Sequence, residues 1–228
     1  MKIKKLNLDV QIGKNTARPS LLRIEQYAAC LPLTEIVLSG DERQSVELGE
    51  DVFVYLDNQR IFSGSLLSLG LVYGGISYKC GYALESSEAN FRKEKASYIA
   101  NYLADQSGIK NRQLEIPDVE LPHYHCQGDG WRNLLAFAGS LSDWIDDEFD
   151  LFFDAFGVLN LRSLREYGER VFEFKRGKNA LLIKNKMLKA FPIPLSYGDT
   201  IRVSNKLRRI LGLYYLISPQ NSLMQVMF

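Results

Sequence analysis

The two histidines of the sequence, His123 and His125, lie two residues apart and are followed directly by Cys126. In an extended segment residues two apart share a face, so both imidazoles are able to reach one zinc ion. A zinc ion with an open coordination position suits a hydrolase. The chain offers no second ligand pair of matching spacing, however, and solvated or hydrogen-bonded histidines are the simpler interpretation. We therefore predict no metal site, with these three residues as the weak candidates.

An acidic run follows further along the chain. Its members are Asp143, Asp146, Asp147, Glu148, Asp150 and Asp154. Several carboxylates close together suit a calcium ion or the acid pair of a glycosidase. A calcium loop counted from Asp146 requires glycine at its sixth position, where the sequence has Leu151. We therefore interpret the run as the polar face of a helix end and of the strand after it.

Charge is unevenly distributed along the second half of the chain. From Arg162 to Arg209 there are thirteen lysines and arginines against four acidic residues, whereas Asn133 to Leu161 contains no basic residue. Such asymmetry has three explanations: a nucleic-acid face, a head-to-tail interface between copies, or a solvated surface. The sequence alone leaves all three open.

The motifs that bind nucleotides or activate a serine nucleophile are missing from the sequence. Neither the glycine pattern of dinucleotide binding nor a phosphate-binding loop occurs, and Gly177-Lys178 lacks the upstream glycine. Gly64-Ser65 lies in a predicted strand and not in the sharp strand-to-helix turn of a hydrolase nucleophile. We expect no catalytic residue, no cofactor and no enzymatic activity.

The composition is that of a soluble globular protein. The chain has 228 residues, a formal net charge of +1 and 46% hydrophobic residues. This near-neutral balance argues against a protein that binds nucleic acid specifically. No apolar run approaches the roughly 18 residues of a membrane span, and the alternating start is unlike a secretory signal. We predict a cytoplasmic protein without a membrane span, in which Cys30, Cys80 and Cys126 are buried thiols.

Alternating apolar and polar residues predict β-strands up to about residue 83. Asp57-Asn58-Gln59 and Gly74-Gly75 consist of residues that tolerate positive φ, so both segments predict tight hairpin turns. No helical period occurs before residue 90, which disfavours a parallel sheet. An antiparallel meander of this length is most economically closed into a small barrel or a curved sandwich.

The middle of the chain has helical periodicity. Apolar spacing predicts one helix over 96–108 and a second that begins near Asp129, whose carboxylate is placed to cap it. Between them, 111–127 contains two prolines and no period, and we predict a loop with one short strand. The β pattern returns from residue 148.

These elements predict a mainly β protein of the α+β class, with two small antiparallel β barrels bridged by two helices. The first barrel module covers residues 1–86, the helical bridge with its loop covers 87–145, and the second barrel module covers 146–228. No linker rich in glycine, serine or proline separates them.

The order of short motifs resembles that of the central hub proteins of phage tails. Gly49-Glu-Asp-Val-Phe-Val-Tyr, Ile61-Phe-Ser-Gly64 and Tyr78-Lys-Cys-Gly-Tyr82 are similar to strands of the first barrel in that family. Trp131 to Gly157, followed by Val158-Leu-Asn-Leu161, is similar to a helix, hairpin and strand of that family, and Pro194-Leu-Ser-Tyr-Gly-Asp-Thr is similar to the closing strands of its second barrel. The motif residues are Gly49, Asp51, Gly64, Gly157, Gly198, Asp199 and Gly212. The family includes late-control-type hubs, and the base of the type VI secretion spike is similar to it.

The resemblance implies a structural protein of a phage or prophage tail. Such a baseplate hub is a homotrimer whose subunits each contribute two barrels, so that six barrel positions face a sixfold tail tube and the threefold side meets a trimeric spike or tip. It implies assembly in the bacterial cytoplasm, then incorporation into the virion tail, without cofactor or lytic activity. The alternative is a β-rich module that binds a ligand or carbohydrate in a surface or fibre complex.

Overall fold

The computed structural model describes residues 6–39, 45–164 and 170–228. These residues form two compact units. The first comprises the described parts of Met1–Tyr82, Asp154–Gly157 and Tyr167–Phe228, and the second those of Ala83–Phe153 and Val158–Glu166. Among the described residues of either unit, no helix is both long and apolar enough to span a membrane.

Strands dominate the described residues, together with two helices. The strands are β1 (Leu8–Ile12), β2 (Asn15–Ala17), β3 (Leu21–Tyr27), β4 (Leu33–Ser39), β5 (Asp51–Leu56), β6 (Gln59–Val72), β7 (Gly75–Gly81), β8 (Ser86–Lys95), β9 (Arg112–Leu114), β10 (Glu120–Asp129), β11 (Phe149–Phe153), β12 (Leu159–Ser163), β13 (Val171–Phe174), β14 (Ala180–Lys184), β15 (Met187–Ala190), β16 (Thr200–Val203), β17 (Lys206–Arg209), β18 (Gly212–Ile217) and β19 (Ser222–Met227). The helices are α1 (Ala96–Gln106) and α2 (Gly130–Ile145). The predicted α+β class with a β majority is confirmed.

The main sheet of the first unit joins strands from both ends of the sequence. Its spatial order is β14-β15-β19-β18-β3-β4-β7-β6-β5-β1-β2, and neighbouring strands are antiparallel. Tyr215 of β18 lies opposite Ile24 of β3, so the segments predicted as separate barrels share one ladder. Within the described residues this ladder ends at β14 and β2 and does not close. The two closed barrels therefore stay a prediction.

The centre of this sheet is fixed by burial on one face. Leu22, Ile24 and Gln26 of β3 are buried and alternate with more exposed residues. On the neighbouring β18, Leu213 and Tyr215 have no exposed surface. Burial of one such aliphatic side chain contributes about 1.5–3 kcal/mol, so a register slip of one residue in either strand would be costly.

Both predicted hairpin turns are confirmed. Asp57 and Asn58 connect β5 to β6 with φ values of 50° and 63°. Gly74 connects β6 to β7 with a φ of 83°. Positive φ in short hairpin loops matches the twist of the flanking antiparallel strands, which explains why short polar residues and glycine stand there.

A smaller sheet of the first unit carries four basic residues of the run, Arg202, Lys206, Arg208 and Arg209. β13 runs parallel to β16, which runs antiparallel to β17. Phe174 at the end of β13 is buried, whereas Arg202 and Arg208 are exposed. The β16–β17 turn contains Ser204 and Asn205 at φ values of 51° and 62°. Arg202 and Arg208 are thus exposed on opposite faces of this sheet, because Arg202 lies opposite Leu207 and Arg208 lies opposite Ile201.

The second unit combines the two helices with two small sheets. β8 pairs antiparallel with β10, and β12 pairs with both β11 and β9. Asp129 caps α2 as predicted, because its carboxylate accepts a hydrogen bond from the backbone N–H of Arg132 at 3.0 Å. Phe137 and Leu141 are fully buried in α2. The amphipathic period therefore located both helices correctly.

The prediction of a loop over 111–127 is wrong for its second half. Residues Glu120–Asp129 form a ten-residue strand in which Tyr124 and Cys126 are buried. A proline removes one backbone donor from a ladder, which argues against a strand. Pro122 is nevertheless tolerated in β10, because it is exposed and lies where the paired positions skip a residue.

The cysteines differ in burial. Cys80 and Cys126 are buried, as predicted, but Cys30 is exposed. Cys30 follows Ala29, which has a φ of 59° just beyond the end of β3. The prediction of a buried thiol at Cys30 is therefore wrong, since a turn and not a strand places this side chain.

Cys80 is expected to make stability depend on alkaline pH. The side chain is fully buried, and burial raises the pKa of its thiol from 9.0 to about 12. The folded protein keeps the neutral thiol, so this contribution to stability is complete below about pH 9 and is lost as the pH rises towards 12. Denaturant titrations between about pH 8 and pH 11 should therefore give a shallower fall of the unfolding free energy in Cys80→Ala than in the wild type. Cys30→Ala is the control and should keep the wild-type slope; equal slopes in all three proteins would contradict the prediction.

Candidate functional site

The first motif residues of the phage-tail resemblance shape the backbone of the main sheet. Gly49 precedes β5 with a φ of 89°, and Asp51 is the exposed first residue of that strand. A β-carbon on Gly64 would lie 2.7 Å from Cζ of Phe62 and 2.8 Å from the carbonyl oxygen of Gly81. Gly64 therefore permits a close contact between β6 and β7 that no other residue allows without displacement.

Gly157 ends a short segment that belongs to the first unit. It has a φ of 78°, and a β-carbon there would lie 3.2 Å from Cβ of Ser63. The hydroxyl of Ser63 donates a hydrogen bond of 2.8 Å to the carbonyl of Ala155, and the N–H of Ala155 donates one of 3.1 Å to Oγ of Ser196. Both backbone groups of the buried Ala155 are thus satisfied by serines.

The remaining motif residues hold the approach to the last strands. Asp199 is buried, accepts a hydrogen bond of 2.7 Å from the backbone N–H of Ser196 and lies 3.1 Å from the guanidinium of Arg170. Gly198 beside it has a φ of 99°. Gly212 begins β18, where a β-carbon would lie 2.8 Å from the ring of Tyr27. These residues order backbone turns and close contacts, and none of them supplies a reactive group.

The three metal candidates do not converge on one point. His123 and His125 lie on the exposed face of β10, whereas Cys126 is buried on the opposite face. The sulfur of Cys126 lies 3.7 Å from the carbonyl oxygen of Ala89, and burial raises the pKa of its thiol. Across the described ranges, no group of three or more His, Cys, Asp or Glu side chains is placed to hold a metal ion. The two-residue period of a strand explains the separation of the thiol from the imidazoles.

An acidic cavity of about 600 Å³ lies in the second unit at the end of α2. It is lined by Ser142, Asp143, Asp146, Asp147, Glu148 and Leu164. Asp146 ends the helix in the left-handed conformation with a φ of 51°, so the cavity lies where the negative end of the helix dipole points. The part of the run from Asp143 to Glu148 therefore covers the helix end and the residues before β11, as the sequence predicted, whereas Asp150 is buried within β11 and Asp154 lies beyond that strand.

A basic cleft of about 200 Å³ lies on the small sheet of the first unit. It is lined by Glu173, Phe174, Lys175, Arg176, Ile183, Arg202, Ser204 and Asn205. Glu173 forms an ion pair of 3.3 Å with Lys175. Neither Arg176 nor Arg202 forms an ion pair with any residue that the structure describes, so the cleft keeps an excess of positive charge.

The hairpin of β6 and β7 carries an exposed apolar patch. Leu71 is 84% exposed, Tyr73 is completely exposed, and Leu69 is 47% exposed. β6 pairs with β5 only as far as Ser65, and from Leu67 onward its described strand neighbour is β7 alone. The far part of the hairpin thus combines apolar side chains with an open strand edge, two features of surfaces that bind other proteins.

Solved structures of two tail proteins share this arrangement of strands and helices. The 43 kDa tail protein of prophage MuSo2 from Shewanella oneidensis has a TM-score of 0.74 at 8% identity, covering 98% of this chain and 97% of that one. The tail protein from Neisseria meningitidis MC58 has a TM-score of 0.74 at 12% identity, covering 98% and 96%. The chain has the fold of phage tail proteins.

The phage tail fold extends to one secretion component. The E. coli c3393 protein, a component of the type VI secretion system with structural similarity to the T4 tail proteins gp27 and gp5, has a TM-score of 0.68 at 11% identity, covering 98% of this chain and 76% of that one. The sequence matches no protein-family model and no curated protein at a significant level. The resemblance seen in the short motifs is therefore confirmed in the fold.

The sequence alone did not predict the three surfaces of this chain described above, which are the acidic cavity, the basic cleft and the patch on the β6–β7 hairpin. The acidic and basic runs were recognised as charge, but their cavities depend on turns that bring distant residues together. The hairpin patch had one available signal: the β6 pattern is fourteen residues long, whereas its partner β5 has six. A strand that is longer than its partner leaves part of its hydrogen-bonding edge without that partner, and this edge is available to another strand or another protein.

Proposed function

We propose that this protein is a structural component of a phage or prophage tail, a baseplate hub that joins the tail tube to a trimeric spike or tip. The observation that carries the proposal is the shared fold with two tail proteins over almost the full length of each chain. Each subunit would supply two barrel-type modules, 1–86 and 146–228, bridged by 87–145. A homotrimer of such subunits offers six similar positions to the tube and three to the spike.

The surfaces of the first unit support an assembly role. A tail hub works by geometry, so it needs turns that fix strand contacts, such as those at Gly49 and Gly64, rather than reactive groups. Its partners would be other copies of itself and the tube and spike proteins, with neither a membrane span nor specific nucleic acid involved. It would assemble in the bacterial cytoplasm and act without enzymatic activity in the virion tail.

The proposal predicts a trimer in solution, with the β6–β7 hairpin in its subunit interface. Sedimentation velocity over a range of concentrations should give a species of three copies. Leu71→Ser should weaken that association about tenfold, because an exposed apolar side chain at an interface is lost without damage to the core. The unfolding free energy should change by less than about 0.5 kcal/mol.

Leu48→Ser is the matched control. Leu48 is also exposed, at 65%, but lies in the loop before β5 and not on the hairpin. It should leave the trimer unchanged. A wild-type protein that stays monomeric at high concentration would contradict the hub proposal. Equal weakening of association by the two substitutions would show that the hairpin is not in the interface.

A further inference from the structure

The lining of the basic cleft combines apolar and cationic residues. Such a lining suits an aromatic side chain that has acidic side chains beside it. Its lining includes the partly buried Ile183 and the exposed Arg176 and Arg202, whereas the ring of the buried Phe174, paired with Val203, lies on the face away from Arg202. A cavity of ~150 Å³ is large enough for a benzene ring, so the 200 Å³ of this cleft is comparable to one aromatic side chain, and the acidic neighbours of that side chain would lie outside it. Guanidinium groups on a rim bind both carboxylates and aromatic faces.

A matching protrusion lies at the end of α2 in the second unit. Trp144 is 54% exposed, although tryptophan is usually largely buried. It is flanked in sequence by the exposed Asp143 and followed by the exposed Glu148. Exposed tryptophans are enriched among the residues that dominate binding energy at interfaces.

The electrostatics of this helix end favour a positive partner. Carboxylates near a helix C-terminus lie at the negative end of the helix dipole and are destabilising there. The last turn of α2 contains no basic residue that would offset them. Cationic side chains from another molecule would add a favourable interaction with Asp143 and Glu148 at this end.

We propose that Trp144 of one copy, with Asp143 and Glu148, inserts into the basic cleft of the next copy. The occupant is a second copy because one chain contains both the excess positive charge of the cleft and the acidic aromatic protrusion. Two unlike surfaces that bind each other make a head-to-tail contact, which closes into a ring when the rotation between copies allows. The inference rests on the proposed function and names the residues of a contact within that ring.

Charge reversal tests the contact from both sides. One variant carries Arg176→Glu and Arg202→Glu, the other Asp143→Lys and Glu148→Lys. Each should associate about tenfold or more weakly than the wild type, because like charges then face each other. A chain with all four substitutions should associate as the wild type does, since the charges are exchanged and still complementary. Lys14→Glu with Lys110→Glu, two exposed lysines elsewhere, is the control and should have no effect.

Mixing the two charge-reversed variants tests whether the copies form a closed head-to-tail ring. Each variant complements the other, but three copies of two kinds cannot alternate around a closed ring. The mixture should therefore form few closed trimers, whereas the chain with all four substitutions forms the trimer. Trimers in the mixture as abundant as in the wild type would overturn the proposed contact.

Fluorescence reports directly on Trp144. The second tryptophan, Trp131, is buried against the ring of Phe153 at a centroid distance of 6.0 Å, so Trp131→Phe leaves Trp144 as the single reporter. On association its emission should shift to shorter wavelength, and iodide should quench it less. The same protein with Arg176→Glu and Arg202→Glu should show neither change.

The outcomes separate this inference from the hub proposal. A wild-type trimer that persists unchanged in every charge variant, with Trp144 still quenched by iodide, would overturn the contact and leave the hub proposal intact. A monomeric wild type would overturn both. Binding of an oligonucleotide to the wild type but not to the cleft variant, with self-association unaltered, would assign the cleft to nucleic acid and overturn the contact.

Discussion

Gly64→Ala should lower the unfolding free energy by about 2–3 kcal/mol, the cost of forcing extra atoms into a well-packed interior. The new β-carbon would stand 2.8 Å from the carbonyl oxygen of Gly81, a backbone atom of β7 that is not free to rotate away. It would also stand 2.7 Å from Cζ of Phe62, which is fully buried. Relief requires β6 and β7 to separate, which weakens their ladder.

Gly70→Ala provides a matched control in the same strand. Gly70 lies in β6 with no heavy atom within 4 Å of the position of an added β-carbon. Its replacement should change stability by no more than about 0.5 kcal/mol. Urea titrations of both variants give the comparison. If the two proteins unfold at the same denaturant concentration, close packing at Gly64 is not the reason for the glycine.

Tyr215→Phe should cost about 1–3 kcal/mol, the penalty for leaving buried polar groups without partners. The phenol is fully buried in β18 and accepts a hydrogen bond of 2.9 Å from the backbone N–H of Leu195. Its hydroxyl lies 2.7 Å from the carbonyl oxygen of Ile193 and 2.9 Å from that of Leu195, and its one hydrogen is shared between these two acceptors. The backbone N–H of Leu195 also donates a hydrogen bond of 2.7 Å to the carbonyl of Ile193, so the carbonyl of Leu195 depends most on the hydroxyl.

Tyr214→Phe is the control for the loss of a hydroxyl. Tyr214 is the preceding residue of β18 and points to the other, partly exposed face. Its replacement should leave the unfolding free energy within about 0.5 kcal/mol of the wild type. Equal losses in the two variants would show that the backbone of 193–195 does not depend on Tyr215.

The local pattern of the sequence was sufficient for much of the secondary structure. Turns such as Asp57-Asn58 were predicted because positive φ restricts the residue types that tolerate it. The cap at Asp129 was predicted because the free amides of a helix start need an acceptor. Such features depend on a few neighbouring residues, so they are encoded where they occur.

What could not be predicted depends on residues far apart in the chain. The pairing of β3 with β18 has no local signal, since any antiparallel edge of suitable length fits β3 equally well. The strand β8 is rich in charged residues, and only its partner β10 makes it a strand. The acidic cavity and the basic cleft were also not predicted. Their charges could be seen in the sequence, but their shapes arise from tertiary packing.

The contact between β3 and β18 has a consequence for synthesis on the ribosome. After β3 is translated, residues 28–211 must follow before β18, its neighbour on one side, is made. Until then one edge of β3 stays available to pair with other nascent chains. The hydrogen-bonding edge at the centre of the sheet is thus protected only after translation of β18, so premature termination before that strand should release chains that aggregate.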